Sequence, residues 1–264
     1  LEDLMRVFDD APTAGPAAEG DAALVRLVKD LAARNPRPGE FLNKLGELFG
    51  SELRYAHAGL CYQKAVDVMP QLAAAQTNLA LHLMRTGRLE EAETTLAAAF
   101  KADPFHVRVS NMRKVVDVLR GYETIRTEHF IVRVDAADRR LGELMAEYLE
   151  ELHDELVPVY GYEPPQPTQF EIFSSGKGQT AHQWFSARMI GLPWIQTIGA
   201  STGVIVAMAS PTAVEETFHW GRVLRHEYVH VLTLQGTEFN IPHWYTEALA
   251  VRTEGLVLPD PWRK

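Results

Sequence analysis

His226, Glu227 and His230 stand together in the run HEYVH. On a helix, two histidines four residues apart leave the same face about one turn from each other, which suits two corners of a zinc tetrahedron. Glu227 sits beside the first of them. From there a carboxylate reaches a metal-bound water without ligating the ion, which is the position of a general base. A catalytic zinc takes three protein ligands and keeps one position for water. The chain has one cysteine, Cys61, so the ligands must be histidine and carboxylate. Glu247 is the best candidate for the third. Pro242 suits the first turn of a new helix, Trp244, Ala248 and Val251 give that helix an apolar face, and Glu247 lies one turn along it. His219, Glu238 and His243 stay open as alternatives, and His243 is also a weak candidate for stabilising an oxyanion.

The elements that must position these residues follow from periodicity. Residues 222–233 read as a helix in which Val223, Leu224, Val229, Val231 and Leu232 surround HEYVH with apolar side chains. Ahead of it, Phe130, Val132 and Val134 alternate as in a strand. Leu141, Leu144, Met145, Tyr148, Leu149 and Leu152 mark a long amphipathic helix over 138–160, ended by Pro164, Pro165 and Pro167. Phe170, Ile172 and Phe173 predict a second strand, 179–189 a helix and 203–209 a third strand. The 203–209 strand is either the sheet edge beside the motif helix or a plain buried strand.

The first 120 residues follow a different rule. Pro36, Pro70 and Pro104 each close a helical pattern, 34 residues apart. Aligned on the prolines, Leu45 falls on Leu79, Gly46 on Ala80, Phe49 on Leu83, Ala58 on Ala92, Tyr62 on Leu96 and Ala65 on Ala99. Small residues therefore recur where helices must approach closely. Residues 39–70 and 73–104 resemble the tetratricopeptide repeat, a pair of antiparallel helices closed by a proline. Leu24, Val28 and Leu31 fit a helix of an earlier, degraded copy, after a linker-like segment at 9–21. A helix over 107–119, with Val109, Met112, Val115, Val116 and Leu119 at helical spacing, is expected to cap the stack. Such repeats either bind a peptide or protein partner or serve as a scaffold for the next domain.

Composition excludes some classes. A formal charge of −9 with no compact basic cluster argues against nucleic acid, and no apolar run reaches the length that crosses a bilayer. Cys61 falls in a helical pattern and reads as a small core residue. The chain starts without Met and without a basic segment leading into an apolar one, so its compartment, periplasmic or cytoplasmic, is not legible.

HEYVH followed by PHWYTEALA (residues 242–250) resembles the gluzincin metallopeptidases. The closer likeness is to a bacterial group of uncharacterised peptidase-like domains often attached to tetratricopeptide repeats. In that group the second helix reads proline, any residue, tryptophan, two residues, then Glu-Gly-hydrophobic-Ala. The resemblance covers roughly residues 122–264. It implies one zinc ion on His226, His230 and Glu247, base catalysis by Glu227 and a peptide substrate laid along a sheet edge. Ala248 replaces the usual glycine. Val251 stands where thermolysin-like members carry an aspartate that buttresses a histidine ligand, so that support has to come from elsewhere. No glycine-alanine-methionine-glutamate-asparagine run is present, and such enzymes place a further helical lobe after the point where this chain ends.

The expected class is therefore α+β. An all-α repeat domain at 1–120 precedes a zincin-like domain at 121–264, incomplete at its C-terminus, with a small sheet and an active-site helix. The expected function is a zinc-dependent peptidase. The alternative is a repeat-based interaction module whose peptidase-like domain is weak or inactive, and a third reading has an amide outside proteins, as in a cell-wall peptide, as the substrate.

Overall fold

The computed structural model describes residues 36–194, 197–215 and 218–254, with Arg26, Asp30 and Arg34 before them. The expectations for 9–21, for Leu24, Val28 and Leu31, and for the tail from Gly255 lie outside the described residues. Two compact units divide the chain, Leu1–Leu79 and Ala80–Lys264.

In the first unit, α1 (Pro38–Ser51) and α2 (Tyr55–Val68) form a helix pair, followed by the start of α3 (Ala73–Arg85). Pro38 opens α1, where its missing N–H interrupts no hydrogen bond. The helices cross so closely that a Cβ on Gly46 would come within 2.6 Å of the Tyr62 ring. This is the close approach that the recurring small residues imply. Leu42, Ala65 and Ala75 fill the interior. Asn78 Nδ2 donates to Asn43 Oδ1 and to Glu47 Oε1, each at 3.0 Å. Cys61 is fully buried, and burial pushes its thiol pKa up to about 12, as for an inert core residue.

The second unit continues with the remainder of α3, then α4 (Leu89–Ala102) and α5 (Val107–Leu119), whose bounds coincide with the expected capping helix. A five-stranded mixed sheet follows: β1 (Glu123–Arg126), β2 (Phe130–Val134), β3 (Thr168–Phe173), β4 (Gly199–Ser201) and β5 (Ile205–Ala209), in the order β1-β2-β3-β5-β4. The β2–β3 and β3–β5 pairs are parallel, and the outer pairs are antiparallel. Between β2 and β3 runs α6 (Arg139–Tyr160), and between β3 and β4 runs α7 (Ala181–Ile190), which starts with a capping box of Thr180 and Gln183. Two helices close the described chain, α8 (Trp220–Gly236) and α9 (His243–Glu254).

Alternation along the strands separates the two faces of the sheet. Phe130, Val132, Phe170, Ile172, Val206 and Met208 meet Met145, Leu149 and Leu152 of α6 and Leu224, Tyr228, Val231 and Leu232 of α8 in one core. On the other side of β3, Glu171 is fully buried and receives Arg188 of α7, Nε to Oε2 at 2.5 Å and a second guanidinium nitrogen to Oε1 at 3.1 Å. The chain is thus α+β, a helical repeat region followed by a small mixed sheet with further helices.

Two expectations are corrected here. The strand over 203–209 is not an edge: β5 lies between β3 and β4, all its residues are buried, and the edge on that side of the sheet is β4. In addition, Trp244, Ala248 and Val251 do not face inward, since Trp244 is 72% and Val251 60% exposed. The inward face of α9 consists of Thr246, Ala250 and Thr253. Ala250 joins the apolar core, while Thr246 and Thr253 pack beside polar groups, where hydroxyls satisfy neighbours that an aromatic ring would leave unpaired.

Candidate metal centre

Because HEYVH lies inside α8, the helical period alone brings its histidine rings together, with centroids 4.7 Å apart. His226 Nε2 and His230 Nε2 are 3.0 Å apart. The turn after α8 folds α9 back, and Glu247 places Oε2 3.4 Å from His226 Nε2 and Oε1 3.5 Å from His230 Nε2. Three zinc ligands on bonds of about 2.1 Å at tetrahedral angles lie about 3.4 Å from one another. The spacing of these atoms fits one ion.

None of the alternatives is among the three residues of this cluster. His243 is 85% exposed, with Nδ1 3.6 Å from Glu247 Oε1. His219 caps the start of α8, accepting from the Arg222 N–H at 3.2 Å. Glu238 is exposed, with a φ of 51° in the turn that follows α8.

Both imidazoles are held from behind at Nδ1. Glu254 Oε1 lies 2.6 Å from His226 Nδ1, and Glu254 Oε2 accepts from Arg222 at 3.1 Å. Thr246 Oγ1 lies 2.9 Å from His230 Nδ1. Neither Glu254 nor Thr246 is picked out by the sequence reading. The signal is present all the same: Thr246 adjoins Glu247, and Glu254 lies two turns further on the same helical face. Glu254 thus supplies a carboxylate behind His226, which Val251 does not.

Glu227 is buried beside the cluster, and its Oε2 has no hydrogen-bond partner among the described residues. Burial first, then the charges of Glu247 and Glu254, push its pKa up to about 8. Burial and the neighbouring His226 hold His230 below its ordinary value and therefore neutral at pH 7, the form that ligates a metal. A cation among these groups would offset the crowding of three carboxylates, so the donor set suits a divalent ion. The edge strand reaches the same place, where a Cβ on Gly199 would lie 2.9 Å from Glu227 Oε1. A cavity of about 410 Å³ opens here, lined by Thr197, Ile198, Gly199, His219, Arg222, Val223, His226, Glu227 and Glu254.

A second group, His129, His153 and Glu163, also gathers possible ligand atoms. Its geometry is different. Two imidazoles on one tetrahedral ion have centroids about 5 Å apart, whereas these rings are stacked at 3.6 Å and 13°. His129 Nδ1 lies 2.7 Å from Glu150 Oε2, and His153 Nδ1 lies 2.9 Å from the hydroxyl of Tyr228, the middle residue of HEYVH. These contacts tie α6 to the residue just before β2 and to α8. They are those of a packed pair, not of a metal site.

Among families, the tetratricopeptide repeat model matches residues 54–114, which run from α2 into α5. The expected helical repeat is therefore present in this region. No curated protein and no solved structure matches the chain.

Proposed function

We propose that the chain is a zinc-dependent hydrolase of peptide bonds, joined to a helical repeat that binds a protein partner. The observation that carries the hydrolase reading is the convergence of two imidazole Nε2 atoms and a carboxylate, 3.0 to 3.5 Å apart, beside the buried and unpartnered Oε2 of Glu227. The resemblance of HEYVH and PHWYTEALA to gluzincins supports it. When bound to His226, His230 and Glu247, zinc supplies Lewis-acid polarisation of a carbonyl and acidifies a water. Glu227 holds and releases a proton at Oε2, and a pKa near neutrality suits a group that takes up a proton early in hydrolysis and delivers it to the leaving nitrogen later. Glu254 and Thr246 orient the two imidazoles. Strand β4, as the sheet edge beside Glu227, offers backbone groups to an extended peptide.

The tetratricopeptide match favours a second reading, a protein-interaction module whose peptidase-like part is catalytically weak or inactive. Cleavage of a broad fluorogenic peptide library by the zinc-loaded chain and by Glu227→Gln separates the two. Cleavage that disappears in Glu227→Gln while zinc is retained supports the hydrolase. A zinc-loaded wild type that cleaves no faster than Glu227→Gln leaves the interaction module.

A further inference from the structure

His226 and His230 are pinned by acceptors of different kinds. Glu254 is a carboxylate and can only accept, so its contact puts a proton on His226 Nδ1. Thr246 is a hydroxyl and can donate or accept, so by itself it settles nothing for His230. The next contact removes the ambiguity. Thr233 Oγ1 lies 2.7 Å from Thr246 Oγ1 and 2.7 Å from the carbonyl oxygen of Val229, with the His230 carbonyl as a longer alternative at 3.4 Å. Carbonyls have no proton to give, so a contact of 2.7 Å requires the Thr233 hydroxyl proton to point at Val229 O. Thr233 Oγ1 must then accept from Thr246, which uses the one proton Thr246 has. Thr246 in turn must accept from His230. All three side chains are buried, so water does not compete for these bonds.

We propose that Thr233 and Thr246 form a one-way hydroxyl relay, from His230 Nδ1–H to the Val229 carbonyl, that keeps the Nε2 lone pair of His230 free to ligate. Thr233 is then a positioning residue that acts on His230 through Thr246. One threonine belongs to α8 and the other to α9, so the relay forms only when α9 folds back with Glu247. The consequence for metal rests on the proposed zinc reading, whereas the tautomer does not.

The test uses the full ¹⁵N-labelled chain without metal, reading the His230 imidazole by long-range ¹H–¹⁵N correlation. Wild type and Thr233→Ser are expected to carry the proton at Nδ1. Thr233→Val, nearly isosteric, removes the acceptor from Thr246, whose hydroxyl turns to donate to Nδ1, and the proton moves to Nε2. Zinc affinity should fall by about tenfold or more in Thr233→Val and return in Thr233→Ser. An Nε2–H tautomer in wild type overturns the relay, and this measurement stands even if Thr233→Val fails to fold. An unchanged tautomer in a folded Thr233→Val overturns it as well. A wild type that has the Nδ1–H tautomer but takes up no zinc overturns the metal reading and leaves the relay standing.

Discussion

Glu254 Oε1 lies 2.6 Å from His226 Nδ1, and the same carboxylate holds Arg222 at 3.1 Å. The last turn of α9 thereby anchors the first histidine of HEYVH. An imidazole that donates from Nδ1 to a carboxylate is fixed in ring orientation and made more basic at Nε2. Glu254→Ala should therefore weaken zinc binding by about tenfold to a hundredfold, and Glu254→Gln, which keeps an acceptor without the charge, by less. Calorimetric titration with zinc checks this, and equal affinity in wild type and Glu254→Ala would remove Glu254 from the site.

One zinc per chain is expected in the purified protein. His226→Ala and His230→Ala should abolish its uptake, Glu247→Ala should weaken it strongly, and Glu227→Gln should retain it, because a base beside the ion is not one of its ligands. Elemental analysis after gel filtration reads the outcome. Equal metal in wild type and His230→Ala would refute the assignment.

Gly199 tests the sheet edge. An added Cβ would meet Glu227 Oε1 and Val223 Cγ1, each at 2.9 Å, so the carboxylate has to shift. Gly199→Ala is expected to retain zinc and to lose about tenfold or more of peptide cleavage, since small misplacements of a reacting group are costly. A variant that cleaves as fast as wild type would mean that the placement of Glu227 against β4 does not matter.

Arg188 and Glu171 form an ion pair with side chains 1% and 0% exposed. Removing one partner leaves a buried charge, eased here by Arg133 at 3.9 Å. Arg188→Met should cost about 3 kcal/mol of unfolding free energy, and Arg188→Met with Glu171→Leu should recover most of it. Urea unfolding of the two variants gives the comparison, and a double variant no more stable than the single one would contradict the account.

His82 makes stability depend on acid. Burial, then the charges of Arg85 and Arg88, lower its pKa from 6.5 to about 4. Below about pH 6.5 the unfolded chain binds a proton here that the folded chain refuses, so stability falls as pH falls and is unaffected above about 7. The loss at pH 4 is on the order of 3 kcal/mol. His82→Gln should flatten the pH slope of stability across this acid range in thermal melts. An unchanged slope would place the acid sensitivity on other groups.

Whatever depends on a strong local period is legible in the amino-acid order. The helix that ends at Leu119, the long helix that ends at Tyr160 and the strand from Phe130 to Val134 each announce themselves by apolar spacing. Strands β1 and β4 do not. Glu123–Arg126 offers one large apolar residue, Ile125, and Gly199–Ser201 offers none, because both are edge strands held by pairing with a neighbour. The face of α9 escapes the apolar pattern for a related reason. Its inward residues are Thr246 and Thr253, matched to polar groups across the contact, and Ala250, the one of the three that joins the apolar core.

The pairing of His226 with His230, and the place of Glu227 beside them, are already fixed by residue order, since the period of one helix sets those positions. The same holds for the 34-residue helical repeat, whose spacing is carried by Pro36, Pro70 and Pro104. Which carboxylate completes the cluster, which groups hold each imidazole at Nδ1, and that Gly199 is the residue against Glu227 are settled by packing alone. Those choices depend on how α9 and β4 lie against α8, and contacts between separate elements are set by the whole core, not by the spacing of residues within any one of them.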